Sequence, residues 1–296
     1  MVDTIVNTKN TKEADVIILS TPYENSVSFM GGTAKAPKKI LEVLNQNLEL
    51  FDVELHCEPA KTIKTAEKEI PELQKLIPEK AVEKISLEYQ KLFNDKKLII
   101  MLGGEHTVSF GALAAISKKE NPKDITILQI DAHQDLRNDN SDYDNNYEKF
   151  AHSCVMRRIH ELGFPIVQVG IRTYSKYEYE YWQKNKKTIT VFEWGNKKIP
   201  INKILKSIKT KKVYITIDAD GFDPAHMPGT GTPVQGGLEW YYGLELIEKV
   251  IDQKKLVGAD IVEVSPQHDS VLTEFGAALI CYKIIAHKFK KKLKLL

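Results

Sequence analysis

A chain of 296 residues, 42% of them hydrophobic, is long enough to enclose a sizeable core, as one large α/β domain or two small ones. Its 42 basic and 40 acidic residues leave a net charge of +2, and no arginine-rich tract is present, which argues against nucleic acid as a partner. Residues 1–15 are polar and mixed in charge, unlike a secretory leader, and no apolar run approaches a membrane span, so a cytoplasmic location and no membrane partner are expected.

In chain order, the apolar pattern predicts a strand at 14–19, a helix at 36–47, a strand at 48–55, a long helix at 70–94, a strand at 97–102 and a helix at 109–119. There follow a strand at 125–130, a helix at 155–162, a strand at 166–171, a helix at 175–185, a strand at 188–194 and a helix at 201–208. The pattern closes with a strand at 213–217, a helix at 238–252, a strand at 260–264 and a helix at 271–288. Such alternation predicts a mainly parallel sheet of about eight strands covered on both faces. No internal repeat or low-complexity linker divides it, so 1–296 reads as a single domain. The basic stretch at 288–294 reads as a solvated helix end. Cys57, Cys154 and Cys281 are odd in number and scattered, as expected of thiols in a reducing compartment. Two long loops are chemically biased: 137–149 is rich in acids, and 225–237 holds four glycines and two prolines.

Three segments at predicted strand ends carry the chemistry: Gly-Gly-Glu-His (103–106), Asp-Ala-His-Gln-Asp (131–135) and Asp-Ala-Asp-Gly-Phe-Asp-Pro (218–224). Ligands of open α/β sheets bind outside the carboxyl ends of the strands. In an extended backbone Asp131, His133 and Asp135 share one face, and Asp218 and Asp220 repeat the spacing. His106 follows a Gly-Gly that allows a sharp turn. Gly103, Gly104 and the Asp223-Pro224 pair are read as turn residues only. Four carboxylates with two neutral imidazoles carry four negative charges, which match two divalent cations. One cation would leave the cluster overcharged. An oxygen-rich set without thiolate favours a harder ion such as Mn²⁺, with iron, cobalt or nickel as alternatives. Two ions about 3.5 Å apart activate a shared water near neutral pH, which points to hydrolysis.

At these residues the chain resembles the ureohydrolase family, which includes arginase and agmatinase. The resemblance runs over most of the chain, through the first two motifs, the segment 218–237 and Ile-Val-Glu-Val-Ser-Pro (261–266). It implies a three-layer α/β/α fold and two Mn²⁺ ions. His106, Asp131, Asp135 and Asp218 would hold one ion, and His133, Asp131, Asp218 and Asp220 the other. It further implies that a shared hydroxide attacks the guanidinium carbon, that Asp135 helps pass a proton to the departing amine, and that urea is released. By the same likeness Glu263 would hold the guanidinium and His152 would shuttle protons. The partners implied are a small guanidino substrate and further copies of the chain, as a trimer or hexamer. Glu105, Ser153-Cys154 and Ser265 depart from the residues common in the family.

Acids in 136–144 would repel an amino-acid carboxylate and attract an amine, so agmatine, giving putrescine and urea, is the expected substrate. 4-Guanidinobutyrate, aminopropylagmatine and arginine are the alternatives. Two other classes are a deiminase using Cys154 beside His152, which would release ammonia without metal, and a non-catalytic amine-binding scaffold.

Overall fold

Runs of Ile, Val and Leu become strands buried on both faces, as a parallel sheet flanked by helices requires. The computed structural model describes residues 4–141, 147–195, 198–266 and 270–293. Its strands are β1 (Val16–Thr21), β2 (Thr65–Glu69), β3 (Leu98–Gly103), β4 (Ile125–Ile130), β5 (Ile166–Ile171), β6 (Ile189–Glu193), β7 (Lys212–Asp218) and β8 (Lys255–Val262). They form one eight-stranded sheet in the order β2-β1-β3-β8-β7-β4-β5-β6, with every neighbouring pair parallel.

The helices are α1 (Ala36–Gln46), α2 (Pro59–Thr62), α3 (Pro78–Leu92), α4 (Val108–Ser117), α5 (Val155–Glu161), α6 (Lys176–Lys184), α7 (Ile201–Ser207), α8 (Trp240–Gln253) and α9 (Leu272–Phe289). They divide between the two faces. Ile18, Ile100, Ile215 and Ile217 meet α1, α7, α8 and α9 in one core. Ile17, Ile99, Met101 and Ile127 meet α3, α4 and α5 in the other. Alternate strand residues thus feed opposite cores, giving the three-layer α/β/α arrangement. Among the described residues no helix is long and apolar enough to cross a membrane.

Two expected elements are corrected, and one strand was not expected. Residues 48–55 are not a strand: the Asp52 carboxylate accepts hydrogen bonds from the Glu54 and Leu55 amides, 3.0 and 2.9 Å away, and so folds the segment into a turn. The strand on this side is β2, whose sequence Thr-Ala-Glu-Lys-Glu suits an exposed sheet edge. The long helix at 70–94 shortens to α3 because Pro71 and Pro78 interrupt it, Pro78 taking the first helical position.

Gly104 stands in the bend that follows β3, as expected, though neither it nor Gly103 adopts a positive φ. Its role is close approach, because a Cβ at Gly104 would lie 1.9 Å from the Tyr23 carbonyl oxygen. Gly104→Ala is expected to destabilise the fold by about 3 kcal/mol or more, near or above the top of the usual overpacking range. Equilibrium urea unfolding measures this.

Candidate metal centre

All the expected ligands converge at the carboxyl ends of β3, β8, β7 and β4, four strands adjacent in the sheet. His106 follows β3 in the turn into α4, and Asp131, His133 and Asp135 follow β4. Asp218 ends β7, and Glu263 comes directly after β8. The side chains do not meet by strand alternation, however. Asp135 takes a left-handed φ of 53°, and Asp220 lies in a 3-10 turn, its own amide donating to the Asp218 carboxylate at 2.9 Å. Glu263, expected within a strand, likewise has a φ of 57°. A non-glycine residue in this region costs about 1–3 kcal/mol, and such residues cluster at functional sites.

The cluster is tight. His106 Nδ1 faces carboxylate oxygens of Asp135, Asp131 and Asp218 at 3.0, 3.2 and 3.3 Å. His133 Nδ1 lies 3.0 Å from Asp220 and 3.6 Å from Asp131. Two trios, His106–Asp131–Asp135 and Asp131–His133–Asp220, each converge closely enough to hold an ion, and Asp131 belongs to both. Other groups orient these ligands. Thr216 meets His106 Nε2 at 2.8 Å, the Gln129 amide donates to Asp131 at 2.7 Å, and Gln168 in turn donates to Gln129. Arg172 donates to the backbone oxygens of Asp220 and Val234, both at 2.6 Å, and pins the 218–224 turn to the glycine-rich loop. Sequence reasoning missed these residues, because their task depends on what the fold places opposite them.

The donors fit a pair of divalent cations. With Nε2 engaged by Thr216, His106 Nδ1 is buried and makes no hydrogen bond, although three carboxylates surround it. Burial, then the neighbouring Asp131, pushes the Asp135 carboxyl up to about 7. Burial, then Asp220 and Asp131, raises Asp218 well above the carboxylate range. His106 and His133, both held well above the usual imidazole range by these carboxylates against the cost of burial, offset only part of that crowding, so cations must displace protons to bind. Metal affinity is therefore expected to rise as pH increases through about 7, with proton release on binding, which calorimetry in buffers of different ionisation enthalpy would measure. The sign for stability is opposite. An acid with a raised folded-state pKa favours folding while protonated, so the metal-free chain should lose stability between about pH 4 and 7.

A pocket of about 430 Å³ covers the cluster, lined also by Ser28, Arg137, His152, Tyr174, Glu178 and Glu263. Glu263 Oε1 accepts the His106 amide at 2.7 Å, which leaves Oε2 for a ligand. Burial, then Glu105, holds its pKa well above the usual carboxylate value, as expected of an acid that awaits a cation. Burial lowers His152 to about 4, so it stands neutral at the pocket wall, its Nε2 3.3 Å from Ser28 Oγ. The departure at Glu105 is structural. Its carboxylate accepts from the Asn25 and Ser26 amides and from Ser26 Oγ, whose oxygen accepts the His152 amide at 3.1 Å. Ser265 similarly donates to the Gly31 carbonyl at 2.9 Å. Cys154 is fully buried and its thiol is pushed up to about 12 by burial, so it holds no thiolate for deiminase chemistry.

The reading of the acidic loop is corrected at Asp139. Asp139 directs its carboxylate to Ser141 and Asn138 within the loop and is not among the lining residues, while Asp142 and Asp144 lie outside the described residues. Among the described residues, the acid that lines the pocket besides Glu263 and the metal-cluster aspartates is Glu178 of α6. Its capping-box partnership with Ser175 was a visible helix-start signal, but nothing in it pointed to the pocket.

Comparison with known proteins places these features in a family. The arginase family profile matches residues 14–287. An N(1)-aminopropylagmatine ureohydrolase from Synechocystis sp. is 34% identical, covering 93% of this chain and 89% of its own. An agmatinase from Bacillus subtilis is 33% identical, covering 87% and 86%. The crystal structure of an agmatine ureohydrolase from Thermoplasma volcanium superposes with a TM-score of 0.82 at 30% identity, over 99% of this chain and 97% of the other. The chain belongs to the arginase family and is a ureohydrolase, an enzyme that hydrolyses carbon–nitrogen bonds of amidino groups.

Proposed function

We propose that the protein is a two-manganese enzyme that splits an agmatine-type guanidine into urea and an amine. One ion would be held by His106, Asp131, Asp135 and Asp218, and the other by His133, Asp131, Asp218 and Asp220. The observation that carries this reading is the sharing of Asp131 between two ligand trios around an unpartnered histidine nitrogen. Oxygen-rich ligation without thiolate supports Mn²⁺ over a structural zinc.

Bound there, the ion pair supplies an activated water at neutral pH. Glu263 Oε2 holds the planar guanidinium and orients its carbon. Asp135, beside the attacked carbon, takes up a proton and passes it to the departing amine. His152, neutral at the pocket wall, carries protons between that amine and solvent.

The pocket's charges support a substrate without a carboxylate. Once Asp131, Asp135, Asp218 and Asp220 are committed to cations, its remaining charged lining residues are Glu263, Glu178 and Arg137. Glu263 takes the guanidinium, and Arg137 lies 3.8 Å from Glu178, so its charge is already compensated. An aminopropyl-extended agmatine is a second reading, favoured by Tyr174. This lining residue donates to Glu193 and stacks with Tyr179 at 6.3 Å, an aromatic and acidic rim suited to a distal ammonium. Steady-state kinetics with agmatine, aminopropylagmatine, arginine and 4-guanidinobutyrate tests this. One of the two amines should exceed both carboxylates in kcat/KM by about 10²-fold or more, given the cost of stranding a buried charge. Preference for arginine would overturn the substrate assignment.

A further inference from the structure

Away from the catalytic crevice, three ligand-bearing side chains meet between the 48–57 turn and the helix layer that covers it. Glu54 of the turn, Glu248 of α8 and His287 of α9 bring their ligand atoms within 4.8 Å of one another. Near them, Lys288 of α9 donates to the Leu256 carbonyl at the start of β8. The group therefore lies toward the sheet edge opposite the catalytic one.

His287 is only 9% exposed, and its ring is aimed into the group. Its Nε2 stands 3.5 Å from Glu248 Oε1, yet both atoms are buried and neither makes a hydrogen bond. The other ring nitrogen is engaged: Nδ1 meets Asp252 Oδ1 at 3.4 Å, one helical turn beyond Glu248. A carboxylate on Nδ1 fixes the proton there and turns the Nε2 lone pair toward the acids, which is how metal-bound histidines are oriented. Lys290 holds Asp252 at 2.6 Å, and Lys283 bridges Asp52 and Glu54 at 3.1 and 2.7 Å. The four carboxylates Asp52, Glu54, Glu248 and Asp252 face two ammonium groups, so two negative charges remain. One divalent cation would cancel them.

We propose that Glu54, Glu248 and His287 form a third, mononuclear site for a zinc-like divalent cation, which fastens the 48–57 turn to α8 and α9. Two carboxylate oxygens and one imidazole nitrogen suit Zn²⁺, with water completing a tetrahedron. The solvent-exposed side of Glu54 gives the ion a route in.

The test uses the full chain, stripped with chelator, dialysed against Zn²⁺ and analysed for zinc per chain beside Glu248→Gln and His287→Gln. Each variant should retain one zinc ion fewer than the parent, should show a smaller zinc-induced rise in Tm, and should keep urea release once reloaded with Mn²⁺. If His287→Gln fails to fold, Glu248→Gln, which preserves size and removes a like charge, decides alone. Equal zinc content in parent and variant would overturn the site and leave a shared proton between the two acids.

Discussion

Asp131→Asn is expected to abolish both metal retention and urea release. Asp131 is fully buried and is the member common to both ligand trios. One of its oxygens accepts the His133 amide at 2.6 Å and the other the Gln129 amide at 2.7 Å, so the carboxylate is held toward both histidines. Asparagine keeps the shape but removes one of four negative charges and turns an NH₂ toward a donor. A loss on the order of 10³-fold or more in kcat is expected, since water activation fails along with binding. Elemental analysis and a urea assay measure the two effects. Circular dichroism should show the fold intact, because asparagine keeps the size of the side chain and an oxygen that can accept the His133 amide. A metal-loaded, active variant would refute the shared-ligand role.

Glu263→Gln should separate substrate binding from metal binding. The amide oxygen of glutamine still accepts the His106 amide, so both ions should stay. The anion that meets the guanidinium is lost. Truncating one partner of a buried charge pair costs about 2–5 kcal/mol, which corresponds to a fall in kcat/KM of roughly 30-fold to 5,000-fold. Unchanged metal content with parental kcat/KM would place the guanidinium elsewhere in the pocket.

Much of this architecture was legible because central parallel strands announce themselves. β3, β4, β5 and β7 are rich in Ile, Val and Leu and buried along nearly their whole length. The edge was not legible. β2 carries charge on its exposed face, whereas the apolar alternation of 48–55 comes from leucines packed against the helix layer around a turn that Asp52 sets. The ligand residues stood out as acids and histidines at strand ends, but their geometry did not. The left-handed turns at Asp135 and Glu263 are imposed by tertiary contacts, such as the Glu263 amide donating to the Gly104 carbonyl at 2.9 Å. The residues that orient the ligands were hidden for the same reason. A glutamine at 129 or a threonine at 216 is unremarkable until the fold sets an aspartate or a histidine against it.

The central claim is metal-dependent release of urea from an amine-bearing guanidine. Its most direct test is to assay urea from agmatine and aminopropylagmatine with the Mn²⁺-loaded chain, after chelation, and after Mn²⁺ is restored. The structure predicts urea and the matching amine in equal amounts, lost on chelation and regained with Mn²⁺. Ammonia without urea, or urea release that survives chelation, would contradict it.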